Sequence, residues 1–282
     1  MRPRAAAAVA ACWLVGACGA GAPPSPRLVA PRPLVATTAP ATSSPGPPPP
    51  ALAPSATPNL PLVVEHGRRD RPEVALTFDT NLTAFMSREL DTGRVASFDN
   101  RAAIDELIAL RVPATLFLSG LWMLRYPAET RRLAAVPWFE LASHSYAHVG
   151  FAPHCYGLGL LPRAAMAPDV ERSESVLHSF APGASRLFRF PGGCYDGAAL
   201  AAVAPAGVQV VQYDVASGDA FATSASAVVR HTLEAAGPGS IVVMHLTGGN
   251  TAPVTAAALP PVVRGLRARG YRLVTVGDLL RP

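Results

Sequence analysis

The run Val74-Ala75-Leu76-Thr77-Phe78-Asp79 constrains this chain more than any other stretch. It is apolar, β-branched or aromatic at three of six positions, and ends abruptly on a carboxylate. Such a run reads as a buried strand of a parallel sheet, with its last residue delivered to the C-terminal rim. In α/β folds, ligands and chemistry collect at that rim. Other short runs also end on polar residues: Phe139 to Ser143 leads to His144, Leu187-Phe188 to Arg189, and Ile241 to Met244 to His245. The pattern predicts strands at 74–79, 114–119, 139–143, 187–190, 208–213, 241–245 and 272–276. Helices are expected near 101–110, 127–135, 168–180, 197–204, 224–236 and 256–268, with Asn100 as an N-cap and Pro168 in a first turn. Strand–helix alternation means parallel strands and right-handed crossovers, hence an α/β barrel or doubly wound sheet; about seven strands favour barrel-like closure.

The N-terminus reads differently. Arg2 and Arg4 precede an apolar run to Ala17, too short for a membrane span and typical of a signal peptide. Val15-Gly16-Ala17-Cys18 is similar to the bacterial lipobox, so residues 1–18 are expected to be a lipoprotein-type signal; plain secretion with cleavage near Ala20 or Ala22 is the alternative. Residues 19–65 are rich in Pro, Ala, Ser and Thr, including Pro47 to Pro50, and are expected to form a disordered, semi-rigid tether. The folded domain is expected at 66–282, exported and lipid-anchored at the outer face of the cytoplasmic membrane, or otherwise secreted.

Charge narrows the partners. The net charge is +5. Arg2, Arg4, Arg27 and Arg32 carry the excess, and the remainder of the chain is close to neutral. No Arg-rich block stands out, which argues against nucleic acid. Cys155 and Cys194 remain after signal removal; a disulfide between them and two buried thiols are both open readings.

The rim residues suggest chemistry. His144 and His148, four apart on a strand exit expected to turn into a helix, would place two imidazoles on one side, a pair suited to Zn²⁺. Surface histidines are the plain alternative. Asp79 would take a proton from metal-bound water, Arg189 would hold Asp79 ionised, and His245 would protonate the leaving group. Asp219 would bias His245 towards its charged form. A capping Asp and a structural Arg are the plain alternatives here.

In these motifs the sequence resembles the polysaccharide deacetylases, the NodB-homology domain of carbohydrate esterase family four. The resemblance covers about 72–282 and includes Thr77-Phe78-Asp79, His144-Ser145-Tyr146-Ala147-His148, Arg189-Phe190-Pro191-Gly192-Gly193, Asp214 to Asp219, and Val243-Met244-His245, in order. It implies a distorted (β/α)₇ barrel and metal-dependent removal of N-acetyl, sometimes O-acetyl, groups from sugars. It implies Asp79, Arg189, Asp219 and His245 as catalytic residues, and His144 and His148 as ligands of a divalent metal, Zn²⁺ by preference. The family's second Asp is Thr80 here, followed by Asn81, which makes Asn81 the expected third ligand. The expected activity is a metal-dependent deacetylase acting on an N-acetylated polysaccharide, peptidoglycan or a chitin-like glycan. The alternative is a weakened or dead relative that binds glycan as a cell-wall lipoprotein. An amidase of the same fold is a third reading.

Overall fold

The structure, a computed structural model, describes residues 60–282. The signal-peptide and lipidation readings, and the tether up to residue 59, lie outside the described residues. In chain order the domain contains β1 (Val63–Val64), β2 (Glu73–Thr80), α1 (Ala84–Asp91), α2 (Arg101–Ala109), β3 (Ala114–Leu118), α3 (Gly120–Arg125), α4 (Pro127–Ala134) and β4 (Phe139–Ser143). It continues with α5 (Arg163–Phe180), β5 (Leu187–Phe188), α6 (Gly197–Val203), β6 (Gln209–Val211), β7 (Val215–Ala216), α7 (Ala225–Ala235), β8 (Ile241–His245), α8 (Thr255–Ala268), β9 (Arg272–Val274) and α9 (Val276–Leu279).

All strand pairings are parallel, in the order β1-β6-β5-β4-β3-β2-β8-β7, with β9 on β2. The sheet curls into a half-barrel that is not fully closed, the distorted barrel the resemblance implies. Every residue of β2 is buried, as its apolar run requires. Ala75 registers with Ile241 on one edge and Val274 on the other, so β2 is the spine of the sheet.

Helices cover the sheet with apolar faces. In α2, Ala103, Ile104 and Leu107 are buried, and Asn100 Oδ1 accepts from Ala103 N at 3.3 Å, the expected N-cap. Fully buried Trp122 anchors α3 in the main core.

Three local expectations need correction. Helix α5 begins at Arg163, so Pro168 lies inside it rather than in its first turn. Near the N-terminus a proline removes few backbone bonds, and burial of Met166, Val170, Ser173 and Leu177 carries the helix through it. Helices α1 and α3 lack long apolar periodicity and escape sequence reading. The predicted strands at 187–190 and 208–213 are only two and three residues long, Leu187–Phe188 and Gln209–Val211. Their flanks leave the ladder to build the rim. Strand β1 falls inside the range read as tether and pairs with β6 through Val63↔Val210.

Candidate functional site

Strand register brings the rim together. Asp79, at the end of β2, pairs with His245 on β8. Ser143 pairs with Phe188, so the next residues, His144 and Arg189, leave the sheet side by side, and Arg189 N donates to Ser143 O at 3.0 Å.

Arg189 is fully buried and fixed at several points. Its Nη1 donates to Asp79 Oδ1 at 2.8 Å and to Thr77 Oγ1 at 2.7 Å, and Nη2 donates to Gln212 O at 3.1 Å. The Phe117 ring lies 4.0 Å from the guanidinium carbon. A buried charge pair persists only where such bonds replace water, and here they do.

The second pair is equally well held. His245 Nδ1 donates to Asp219 Oδ1 at 2.8 Å, and His245 N donates to Oδ2 at 2.8 Å. Ser217 Oγ donates to Oδ1 at 2.9 Å and Thr255 Oγ1 to Oδ2 at 2.6 Å. Burial lowers the His245 pKa, but the Asp219 charge and hydrogen bond outweigh it, and the net shift is upward. Burial likewise raises Asp219, but His245 attraction and its hydrogen bonds outweigh that, and the net shift is downward. Asp219 therefore biases His245 towards its charged form, as its position suggested.

The histidine pair is built otherwise than expected. Segment 144–148 is a loop, not a helix start, and Ser145 (φ 65°) and His148 (φ 49°) are left-handed. The Asp169 carboxylate holds this loop, accepting from Tyr146 N at 2.8 Å and Ala147 N at 3.3 Å. The two rings still meet, with centroids 4.9 Å apart. His144 Nδ1 donates to Arg189 O at 2.9 Å, which leaves Nε2 facing Asp79 Oδ2 at 3.5 Å. Burial lowers the pKa of His144 and pushes His148 well below the ordinary value, so both rings are neutral at pH 7. Both His148 ring nitrogens, and Asn81 Oδ1, are buried with no hydrogen-bond partner among the described residues.

Positions 80 and 81 separate cleanly. Thr80 Oγ1 accepts from Ser119 N at 3.2 Å, turned towards β3. Asn81 lines the rim cavity. Side chains two apart share a face, so Asn81 follows Asp79 and Thr80 does not.

The cavity has a volume of about 420 Å³ and gathers Asp79, Asn81, His144, His148 and His245. Arg189 and Asp219 stand behind it. Asp214, of the same motif as Asp219, is structural: it accepts from Arg69 Nη2 at 2.8 Å and Ile241 N at 2.8 Å. Sequence reasoning missed Thr77, Thr255 and Ser217 as anchors, and Tyr213, Tyr156 and Phe221 in the wall. A hydroxyl two residues before Asp79 is a readable signal for Thr77; the others become neighbours only through loop folding. Cys155 and Cys194 form a disulfide, which resolves the open thiol reading and ties the Tyr156 loop to the Gly192-Gly193 turn.

The curled parallel sheet thus gathers Asp, Arg and His side chains at its C-terminal rim. Residues 66–211 match the polysaccharide deacetylase family, just over half the chain, and the chain belongs to that family. Among similar proteins, a chitooligosaccharide deacetylase of Rhizobium leguminosarum bv. phaseoli is 28% identical over 64% of this chain and 72% of its own length. A peptidoglycan-N-acetylglucosamine deacetylase of Bacillus cereus is 37% identical over 34% of this chain and 45% of its own. Among solved structures, a carbohydrate esterase family four pseudoenzyme from Bacillus anthracis aligns with a TM-score of 0.64 at 18% identity, covering 78% of this chain and 69% of that one.

The expectation of an active metal-dependent deacetylase is overturned. Among the described residues, no three His, Cys, Asp or Glu side chains are placed to hold a metal ion. Zinc sites in enzymes use three protein ligands, commonly with an anionic or third imidazole donor. Here the set is two neutral imidazoles and one amide oxygen. The unpartnered atoms of His148 and Asn81 match a cation's donors in kind but not in number or charge, so the residues do not fit a catalytic Zn²⁺. The similarity to a pseudoenzyme shows the fold alone, and a fold does not entail an activity.

Proposed function

We propose that the domain binds an N-acetylated glycan of the cell envelope, peptidoglycan in preference to a chitin-like polymer, as a catalytically silent or weakened member of its family. The observation that carries this reading is the pairing of an open rim cavity with buried, unpartnered polar atoms on His148 and Asn81. A buried polar atom without a partner costs about 1–3 kcal/mol, and a ligand that bonds to it recovers that cost. Sugar hydroxyls and acetamido groups both donate and accept. Asp79 and His245, whose charged form Asp219 favours, offer an acceptor and a donor beside them, held in place by Arg189 and Asp219 without any proton transfer.

Location is part of the proposal. The Val15-Gly16-Ala17-Cys18 run supports export with a lipid on Cys18, and a disulfide in the domain suits an oxidising compartment. Cys18→Ala is expected to move the protein from the membrane fraction to the soluble one.

The test is co-sedimentation of the purified protein with insoluble peptidoglycan and with chitin, run beside acetate release in added Zn²⁺. Retention with little or no acetate release is expected. Failure to sediment with either polymer, or rapid multiple-turnover acetate release, overturns the reading.

A further inference from the structure

The mouth of the rim cavity carries two large aromatic side chains that face solvent. Tyr156 is 70% exposed and Phe221 79% exposed. Their ring centroids lie 6.0 Å apart with planes inclined by 30°. Both line the same cavity as Asp79, His148 and His245.

The pair is positioned from two sides. Tyr156 follows buried Cys155, which the disulfide fastens to Cys194, and its backbone is left-handed with φ 47°. A side chain at position 192 would destroy this arrangement: a Cβ on Gly192 would fall 2.7 Å from Cys155 Sγ and 3.1 Å from Tyr156 Cδ2. Phe221 sits in the turn after Asp219, where Phe221 N donates to Gly218 O at 3.4 Å, so it is carried by the same turn that holds His245. A tyrosine in the left-handed region, next to a disulfide and over a bare glycine, is over-determined by its surroundings, which is how strain is retained at binding sites.

An occupant must cover aromatic faces and also reach polar atoms below them. A wholly apolar partner would leave His148 and Asn81 unpartnered. A pyranose ring suits both demands, because its C–H face is apolar and its rim carries hydroxyl or acetamido groups. We propose that Tyr156 and Phe221 form a stacking platform for a sugar ring of the bound glycan, adjacent to the ring that enters the cavity. The platform rests on the glycan-binding reading and adds to it the residues that select a chain over a single sugar.

The test uses the full chain and a soluble peptidoglycan tetrasaccharide of alternating N-acetylglucosamine and N-acetylmuramic acid in titration calorimetry. Tyr156→Ala and Phe221→Ala are each expected to weaken binding at least about fivefold, and Tyr156→Phe to bind like the parent, because the ring and not the hydroxyl supplies the contact. Tyr156→Leu is expected to behave like Tyr156→Ala, which separates stacking from general apolar contact. Both side chains are exposed, so these substitutions remove no core. Parent-like binding by both alanine variants, or by Tyr156→Leu, overturns the platform while leaving glycan binding intact. No binding by the parent chain overturns the glycan reading itself, and the platform with it.

Discussion

Two halves of one rim are built to different standards. On one side, Asp79 with Arg189 and Asp219 with His245 are bonded at nearly every polar atom. On the other, His148 and Asn81 are buried with atoms that meet no partner. The first half satisfies its own polar groups. The second is left for something from outside. Charge follows the same division: the bonded half holds two ion pairs, whereas the open half offers only neutral donors, too weak a set for a dication. The difference teaches that a bonded, charged network can stand as framework beside a donor set that has two imidazoles but no carboxylate at positions 80 and 81.

The largest expected effect breaks the bonded half. Arg189→Met would leave Asp79 buried and uncompensated, at a cost of about 3–5 kcal/mol in urea unfolding. Adding Asp79→Leu should recover much of that loss, since an apolar pair can replace a buried ion pair. No recovery would mean that Arg189 is held for its packing on Phe117 rather than for its charge.

Asp219→Asn comes next, at about 2 kcal/mol, the scale of hydrogen bonds to a charged group. Its pH dependence is specific. His245 is raised in the fold, so its contribution is fully present below the ordinary value of ~6.5 and fades as pH rises through the raised value. Asp219 is lowered, so its contribution is present above ~3.9 and fades as pH falls through the depressed value. The gap between parent and variant should therefore be widest between about pH 4 and 6.5 and narrow on both sides. A gap independent of pH would refute the ion-pair account.

The open half can be sharpened by restoring charge. Asn81→Asp is expected to tighten Zn²⁺ binding at least about tenfold, equivalent to ~1.4 kcal/mol, because a carboxylate faces the two imidazoles. Thr80→Asp should not, since position 80 turns towards Ser119; it should instead lower stability by burying a carboxylate. Zinc titration of both variants decides between the positions.

The smallest effect is the stability of Asn81→Leu, which should change by less than about 1 kcal/mol, as removing an unpartnered buried oxygen offsets lost polarity. Retention on peptidoglycan should still fall. A large loss of stability would show that Asn81 belongs to the framework and not to the open half.

Much of this was legible in the chain. Apolar runs located β2, β3 and β8 because strands buried on both faces hold little interior charge, so their polar ends stand out, and β4 was located by Leu141-Ala142-Ser143 despite Glu140 near its start. Asp79, His144, His148, Arg189 and His245 were readable for that reason, and Asn100 because capping is local chemistry. Short strands such as β1 and β7 were not, since two residues carry no period and exist only through their neighbours.

By itself the sequence determined the alternating parallel sheet, the polar rim and the absence of a carboxylate at positions 80 and 81. Only the tertiary structure decided that Asn81 and not Thr80 enters the cavity, that left-handed loop residues rather than a helix bring His144 to His148, and that the disulfide sets Tyr156 beside Phe221. The first group depends on hydrophobicity and spacing along the chain. The second depends on which way side chains point after distant loops close on one another, and no local interaction encodes that.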